Sequence, residues 1–133
     1  MLNNQFMKEN KENTDTSAAV TTERLLAVVL NALEDMKGVD IHVIDVCGLT
    51  SITDRMVIVS GTSSRHIKAI ADNVMLAAKK HGTVALGVEG EPDTGWILVD
   101  LADVVVHVMM PQTREFYALE KLWSVGDRDT ADG

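Results

Sequence analysis

The sequence predicts a single-domain α/β fold: a mixed five-stranded β-sheet with packed helices, in the order α-β-β-α-β-β-β-α. Three observations lead there. Two stretches repeat apolar residues at the 3.6-residue helical period, around Leu26–Leu33 and Ile67–Ala78. Several short runs rich in β-branched residues are bounded by Gly, Asp or Pro, as strands are. Two of these runs precede the middle helix and the others follow it, so the helices must pack against one mixed sheet. With 133 residues the chain can bury one core but not two.

The first helix is expected over Thr22–Lys37, with Thr21-Thr22-Glu23 supplying a capping hydroxyl and a first-turn acid. Leu26, Val29, Leu30, Leu33 and Met36 form its stripe, and Lys37-Gly38 closes it. Asp40–Val46 and Arg55–Ser60 are strands whose nearly continuous apolar character predicts cover on both faces or a central place in the sheet. The hydroxyls of the intervening Cys47–Asp54 are suited to local backbone hydrogen bonds. Ser60-Gly61-Thr62-Ser63-Ser64 leads into the second helix, which ends at Lys79-Lys80-His81-Gly82. A helix start of this composition can hold a phosphate. No phosphate-loop or dinucleotide signature accompanies it, and capping explains Ser63 and Ser64.

Thr83–Glu89 is a short third strand, and Gly90–Gly95 a turn-rich loop. Trp96–Val99 and the run from Val104 read as an antiparallel hairpin joined by a short acidic connection. Pro111 stops the last strand and opens a final amphipathic helix running to Leu119, Leu122 and Trp123. Trp123 is expected to pack on the sheet and Trp96 to lie exposed. Residues 1–19 and 126–133 lack apolar periodicity and are expected to be disordered polar tails around a folded body over 20–125.

Charge narrows the function. The chain carries −8; the first twenty and last eight residues hold −1 and −2 of it, leaving −5 on the body. Glu89, Glu91, Asp93, Asp100 and Asp103 fall within fifteen residues that contain no Lys or Arg. Such a surface repels nucleic-acid backbones and favours a basic partner, so little direct nucleic-acid binding is expected. Cys47 is the single cysteine, which points to a reducing compartment. No apolar run reaches the roughly 18 residues that span a bilayer, and no targeting signal is visible, so a cytoplasmic protein is expected.

Catalytic patterns are sparse. His42, His66, His81 and His107 have no metal-ligand spacing with one another or with Cys47, so neither a metal nor a cofactor is expected. Asp103 and His107 share a strand face but stand about 13 Å apart along it. His107, among valines, suits a hydrogen-bonded, half-buried role better than a catalytic one.

The stretches SITDRMVIVSGTSSRHIKAIAD (51–72), VEG (88–90), WILVDLADVVVHVM (96–109) and REFYALEKLW (114–123) closely resemble the ribosomal silencing factor family, also called Iojap-like. The resemblance spans nearly the whole body. It implies a nucleotidyltransferase-like fold without the catalytic acids. It also implies a partner, the large ribosomal subunit, bound at its ribosomal protein fourteen. The implied activity is steric blocking of small-subunit joining, which represses translation in starvation or stationary phase. The partner-facing residues it implies are Trp96, Leu98, Asp100, Leu101 and Asp103, with Glu89 and Glu91 at the rim. This chain has Leu101-Ala102 where many members have Tyr-Gly, and Ala resists the positive φ such a turn uses.

The alternative is a nucleotidyltransferase-like, nucleotide-binding enzyme. Such enzymes need paired carboxylates on a strand to hold divalent metal. The first acid after Ser63 is Asp72, on a helix, and Asp100 and Asp103 straddle a turn. The sequence therefore reads as non-enzymatic. A dimerising adaptor, with the free protein a homodimer, is compatible with the same acidic patch.

Overall fold

A computed structural model describes residues 21–123, so the two expected tails lie outside the described residues. Helix α1 covers residues 21–35 and is followed by strands β1 (Val39–Asp45) and β2 (Arg55–Ser60). Helix α2 (Ser64–Lys80), β3 (Gly87–Glu91), a 3-10 turn (Pro92–Thr94), β4 (Trp96–Asp100) and β5 (Val104–Met109) come next. Two short helices, α3 (Pro111–Tyr117) and α4 (Leu119–Trp123), close the described chain. The sheet order is β1-β2-β5-β4-β3; only β2 and β5 run parallel, and the other neighbours are antiparallel. The predicted mixed five-stranded sheet and the β4–β5 hairpin are both present.

Side-chain alternation along the strands divides the sheet into two faces. Val57, Val59, Ile97, Val99, Val104, Val106 and Val108 point to the first face, where Leu25, Val29, Leu33, Ile67, Ile70 and Val74 of α1 and α2 cover them. Each such buried aliphatic side chain contributes about 1.5–3 kcal/mol. Ile44, Met56, Ile58 and Met109 point to the second face, under Leu119 and Trp123 of α4.

Local chemistry explains the joints. The Ser63 hydroxyl accepts from the backbone N–H of His66 at 3.0 Å, so it caps α2 as its position predicts. His66 then ties two turns together: Nδ1 accepts from Thr62 N–H at 2.8 Å and Nε2 donates to the Met36 carbonyl at 2.7 Å. The positive φ after α1 is taken by Lys37 (58°), not Gly38. Gly38 serves close approach instead: a Cβ there would strike the Val59 side chain at 2.6 Å.

Three expectations need correction. β1 is not covered on both faces; as an edge strand with one neighbour, it alternates between exposed and covered residues. β3 begins at Gly87, not Thr83, because only from there does the chain reach the β4 ladder, and Val84 and Leu86 stay exposed. The final helix is two helices, broken where Ala118 adopts left-handed backbone with φ 49°.

Candidate functional site

α3 and α4 cover only part of the second face, and its β4–β3 side stays more open. Strand register dictates what is displayed there. β4 alternates, so Trp96, Leu98 and Asp100 point to this face while Ile97 and Val99 point into the core. β3 pairs Glu89 with Leu98 and Glu91 with Trp96, which puts both glutamates on the face that carries the tryptophan. Five of the seven sequence-derived candidates, Glu89, Glu91, Trp96, Leu98 and Asp100, are thereby brought onto one surface by two strand pairings.

The other two separate. Asp103 is exposed at the β4–β5 turn, where its carbonyl accepts from the N–H groups of Asp54 and Arg55 at 3.1 and 3.0 Å. Leu101 is a correction: it is 1% exposed and belongs to the core under α1 and α2. Its parity is that of Ile97 and Val99, so it points away from Trp96. The turn that follows is held by Leu101 N–H to Val104 O at 2.9 Å and Ala102 N–H to the Asp100 carboxylate at 2.9 Å. Ala102 does adopt the positive φ this turn requires, at 74°.

Trp96 is half-buried, not free in solvent. Its indole N–H donates to Nδ1 of His107 at 3.0 Å, and the Tyr117 ring from α3 lies 4.7 Å away, centroid to centroid. The bond fixes His107 as the neutral tautomer with its proton on Nε2. Burial lowers the His107 pKa from 6.5 to about 4, which keeps the acceptor available. Gly90 lets the edge strand come close to this tryptophan: it takes φ 86°, and a Cβ there would collide with the Trp96 carbonyl.

Two depressions open on the face. One of about 250 Å³ is lined by Glu89, Gly90, Thr94, Trp96 and Leu98. A second, of about 270 Å³, runs between Leu98, Asp100 and His107 of the sheet and Ile52 and Trp123 at its edge. Among the described residues no ion pair reaches Glu89, Glu91, Asp100 or Asp103. Uncompensated carboxylates beside a braced indole suit a cationic protein surface.

Several acids elsewhere are engaged, among them Glu120 and Asp72. Arg114 grips Glu120 through two hydrogen bonds of 2.7 and 3.0 Å and donates to the Ser60 hydroxyl at 3.0 Å; Nδ1 of His42 meets the same Glu120 at 2.6 Å. Arg114 first, and His42 with it, lower the Glu120 pKa from 4.5 to about 2. Asp72, the first acid after the Gly61 turn, pairs with Lys68 at 2.8 Å on the exposed side of α2. Among the described residues, no group of three or more His, Cys, Asp or Glu is placed to hold a metal, and no helix is long and apolar enough to cross a membrane.

Comparison with known proteins agrees with the resemblance. Residues 19–132 match the family model described as ribosomal silencing factor during starvation. The chain is 46% identical over 100 residues to a ribosomal silencing factor of Haemophilus influenzae, covering 75% of this chain and 98% of that protein. A mouse protein named mitochondrial assembly of ribosomal large subunit protein 1 is 36% identical over 106 residues, 77% of this chain and 46% of that one. A crystal structure of a Chromobacterium violaceum protein superposes with a TM-score of 0.75 at 42% identity, covering 77% of this chain and 85% of that one.

Proposed function

The chain belongs to the ribosomal silencing factor family, and from that membership we propose that it binds the large ribosomal subunit and keeps the small subunit from joining. The docking surface in this reading is the open half-sheet of Glu89, Glu91, Trp96, Leu98 and Asp100, with Asp103 at its corner, set against ribosomal protein fourteen. The bulk of the domain then occupies the space the small subunit needs. Translation falls when the factor is abundant, in starvation or stationary phase, and the protein acts in the cytoplasm without catalysing a reaction. The family's description, ribosomal silencing factor during starvation, and the name of the mouse relative support the ribosomal part of this reading.

The observation that carries the choice of surface is the half-sheet itself: a hydrogen-bonded tryptophan flanked by carboxylates that no Lys or Arg among the described residues neutralises. Basic proteins are met by such patches, and a buried aromatic anchor is worth at least about 2 kcal/mol. Trp96→Ala should therefore weaken large-subunit binding roughly 30-fold. Asp100→Lys should weaken it further, by setting like charges together. Purified subunits mixed in a light-scattering assay give the test: wild type suppresses joining, and neither folded variant does so at the same concentration. Equal inhibition by all three proteins would rule this surface out.

A further inference from the structure

Tyr117 and Phe116 of α3 continue the Trp96 surface outward. The Tyr117 ring contacts Trp96 at 4.7 Å, and the Phe116 ring meets Tyr117 edge-on at 5.0 Å, so three aromatic rings form one uninterrupted ridge. Its outer members are open to solvent: Tyr117 is 53% exposed and Phe116 80%. Neither contributes to the core beneath α4. Much of both rings is left in water, which gains little for the fold, and aromatic residues are over-represented where partners bind.

The ridge is also held in place. Arg114, one helical turn before Ala118, ties α3 to β2 through Ser60 and to α4 through Glu120. Its charge is thereby matched within the protein by Glu120. Exposed Glu115 adjoins Phe116, and Glu91 stands opposite Trp96 on β3; neither has an ion pair among the described residues. From residue 81 to residue 113 the chain has no Lys or Arg. Exposed rings beside unmatched carboxylates fit one kind of side chain, a guanidinium or ammonium lying over a ring face while a carboxylate accepts its N–H groups.

We infer that Phe116 and Tyr117 form a second arm of the docking face, which receives Arg or Lys side chains of the same basic protein that covers Trp96. The inference rests on the proposed ribosomal docking of the half-sheet and extends it onto α3. Rigid rings held by a clamped helix lose little entropy on binding, so the arm contributes to affinity without prior ordering.

The test is binding of the full chain and its variants to purified large subunits, with thermal melting as the control for folding. Phe116→Ala should leave melting near wild type and weaken binding about 5-fold. Phe116→Lys should weaken it at least about 30-fold by adding charge repulsion. If both Phe116 variants bind like wild type while Trp96→Ala does not, the arm is refuted and the half-sheet reading stands. If Trp96→Ala and Asp100→Lys also bind like wild type, the reading itself falls and the arm with it. Should Phe116→Ala instead disperse a concentration-dependent oligomer and leave subunit binding unchanged, a second copy covers the ridge and the inference is overturned.

Discussion

Trp96 and His107 stand diagonally across the β4–β5 ladder, and the indole N–H of the first donates to Nδ1 of the second at 3.0 Å. The register makes this contact. Leu98 is directly opposite His107 and Trp96 opposite Met109, so the two rings are offset by one same-face step, within reach of a large aromatic side chain. The hydrogen bond holds the indole against the sheet and sets which edge of the ring faces out.

The first consequence concerns acid. His107 titrates near 4 in the folded protein against 6.5 unfolded, so the folded state resists protonation and the unfolded state does not. Stability is therefore complete above 6.5 and is lost as the pH falls from 6.5 toward 4, by up to about 3 kcal/mol. Glu120, depressed from 4.5 to about 2, adds a further loss only below 4.5. Urea midpoints taken from pH 7 to pH 4 should fall steadily for wild type and stay flatter for His107→Gln. An identical slope in both proteins would assign the loss to other groups.

Trp96→Phe keeps most of the apolar ring and removes the donor. The Nδ1 acceptor of the buried His107 then lacks its partner, at a cost of about 1–3 kcal/mol. In the proton spectrum the indole N–H of Trp96 should resonate as a hydrogen-bonded, exchange-protected signal that His107→Leu abolishes. Rapid exchange of that proton in wild type would contradict the bond.

Both tryptophans are half-buried and both pack against the second core cluster. This replaces the expectation that Trp96 lies exposed and matters far less to the fold than Trp123. Trp96→Ala and Trp123→Ala should each destabilise by about 2–3 kcal/mol, somewhat under the value for full burial. Chemical denaturation of the two variants checks this, and a loss at Trp123 alone would restore the earlier picture.

Ala102 holds φ 74° in the β4–β5 turn, a conformation unfavourable for a residue with a Cβ by about 1–2 kcal/mol. Glycine removes that strain but loses more entropy on folding. Ala102→Gly should therefore stabilise by about 0.5–1 kcal/mol, visible as a higher melting temperature. No change, or a loss, would show the turn relaxed with alanine.

Arg114 joins α3, α4 and β2 through three hydrogen bonds, two of them bidentate to Glu120. Arg114→Met keeps the aliphatic stem and deletes the charge, which should cost about 1.5–3 kcal/mol. Because Tyr117 moves with α3, the same variant should shift Trp96 fluorescence before global unfolding in a denaturant titration. Coincident transitions by fluorescence and circular dichroism would show that the helices do not loosen independently.

Much of this architecture is legible in residue order. β2 reads as a nearly continuous apolar run and β5 as an apolar run broken only by His107, and both are buried along nearly their full length at the centre of the sheet. β1 looks similar yet lies at an edge, because an apolar run reports hydrophobicity and not how many neighbours a strand finds. The buried place of Leu101 follows from strand parity: counting by twos from Trp96 gives Leu98 and Asp100, while counting from Ile97 gives Val99 and Leu101. The break at Ala118 carries no Gly or Asn signal, since the tertiary grip of Arg114 and Leu119 overrides local preference. The pairing of Glu89 and Glu91 with Leu98 and Trp96 depends on the register across a 3-10 turn, which spacing alone does not fix.

The central parallel pair also sets the order in which the sheet can be assembled. Arg55 on β2 meets Val104 on β5, so the strands at the middle of the sheet are separated by two strands and a long helix in the chain. On a chain emerging from its amino end, β2 has only β1 beside it until β5 appears, and its other edge waits unpaired. β3, β4 and β5 can zip together through local turns, but that three-stranded unit docks on β1–β2 only through the long-range β2–β5 ladder. Closure over such a separation makes for slow folding, and this domain completes its core only after nearly all of its described residues have been made.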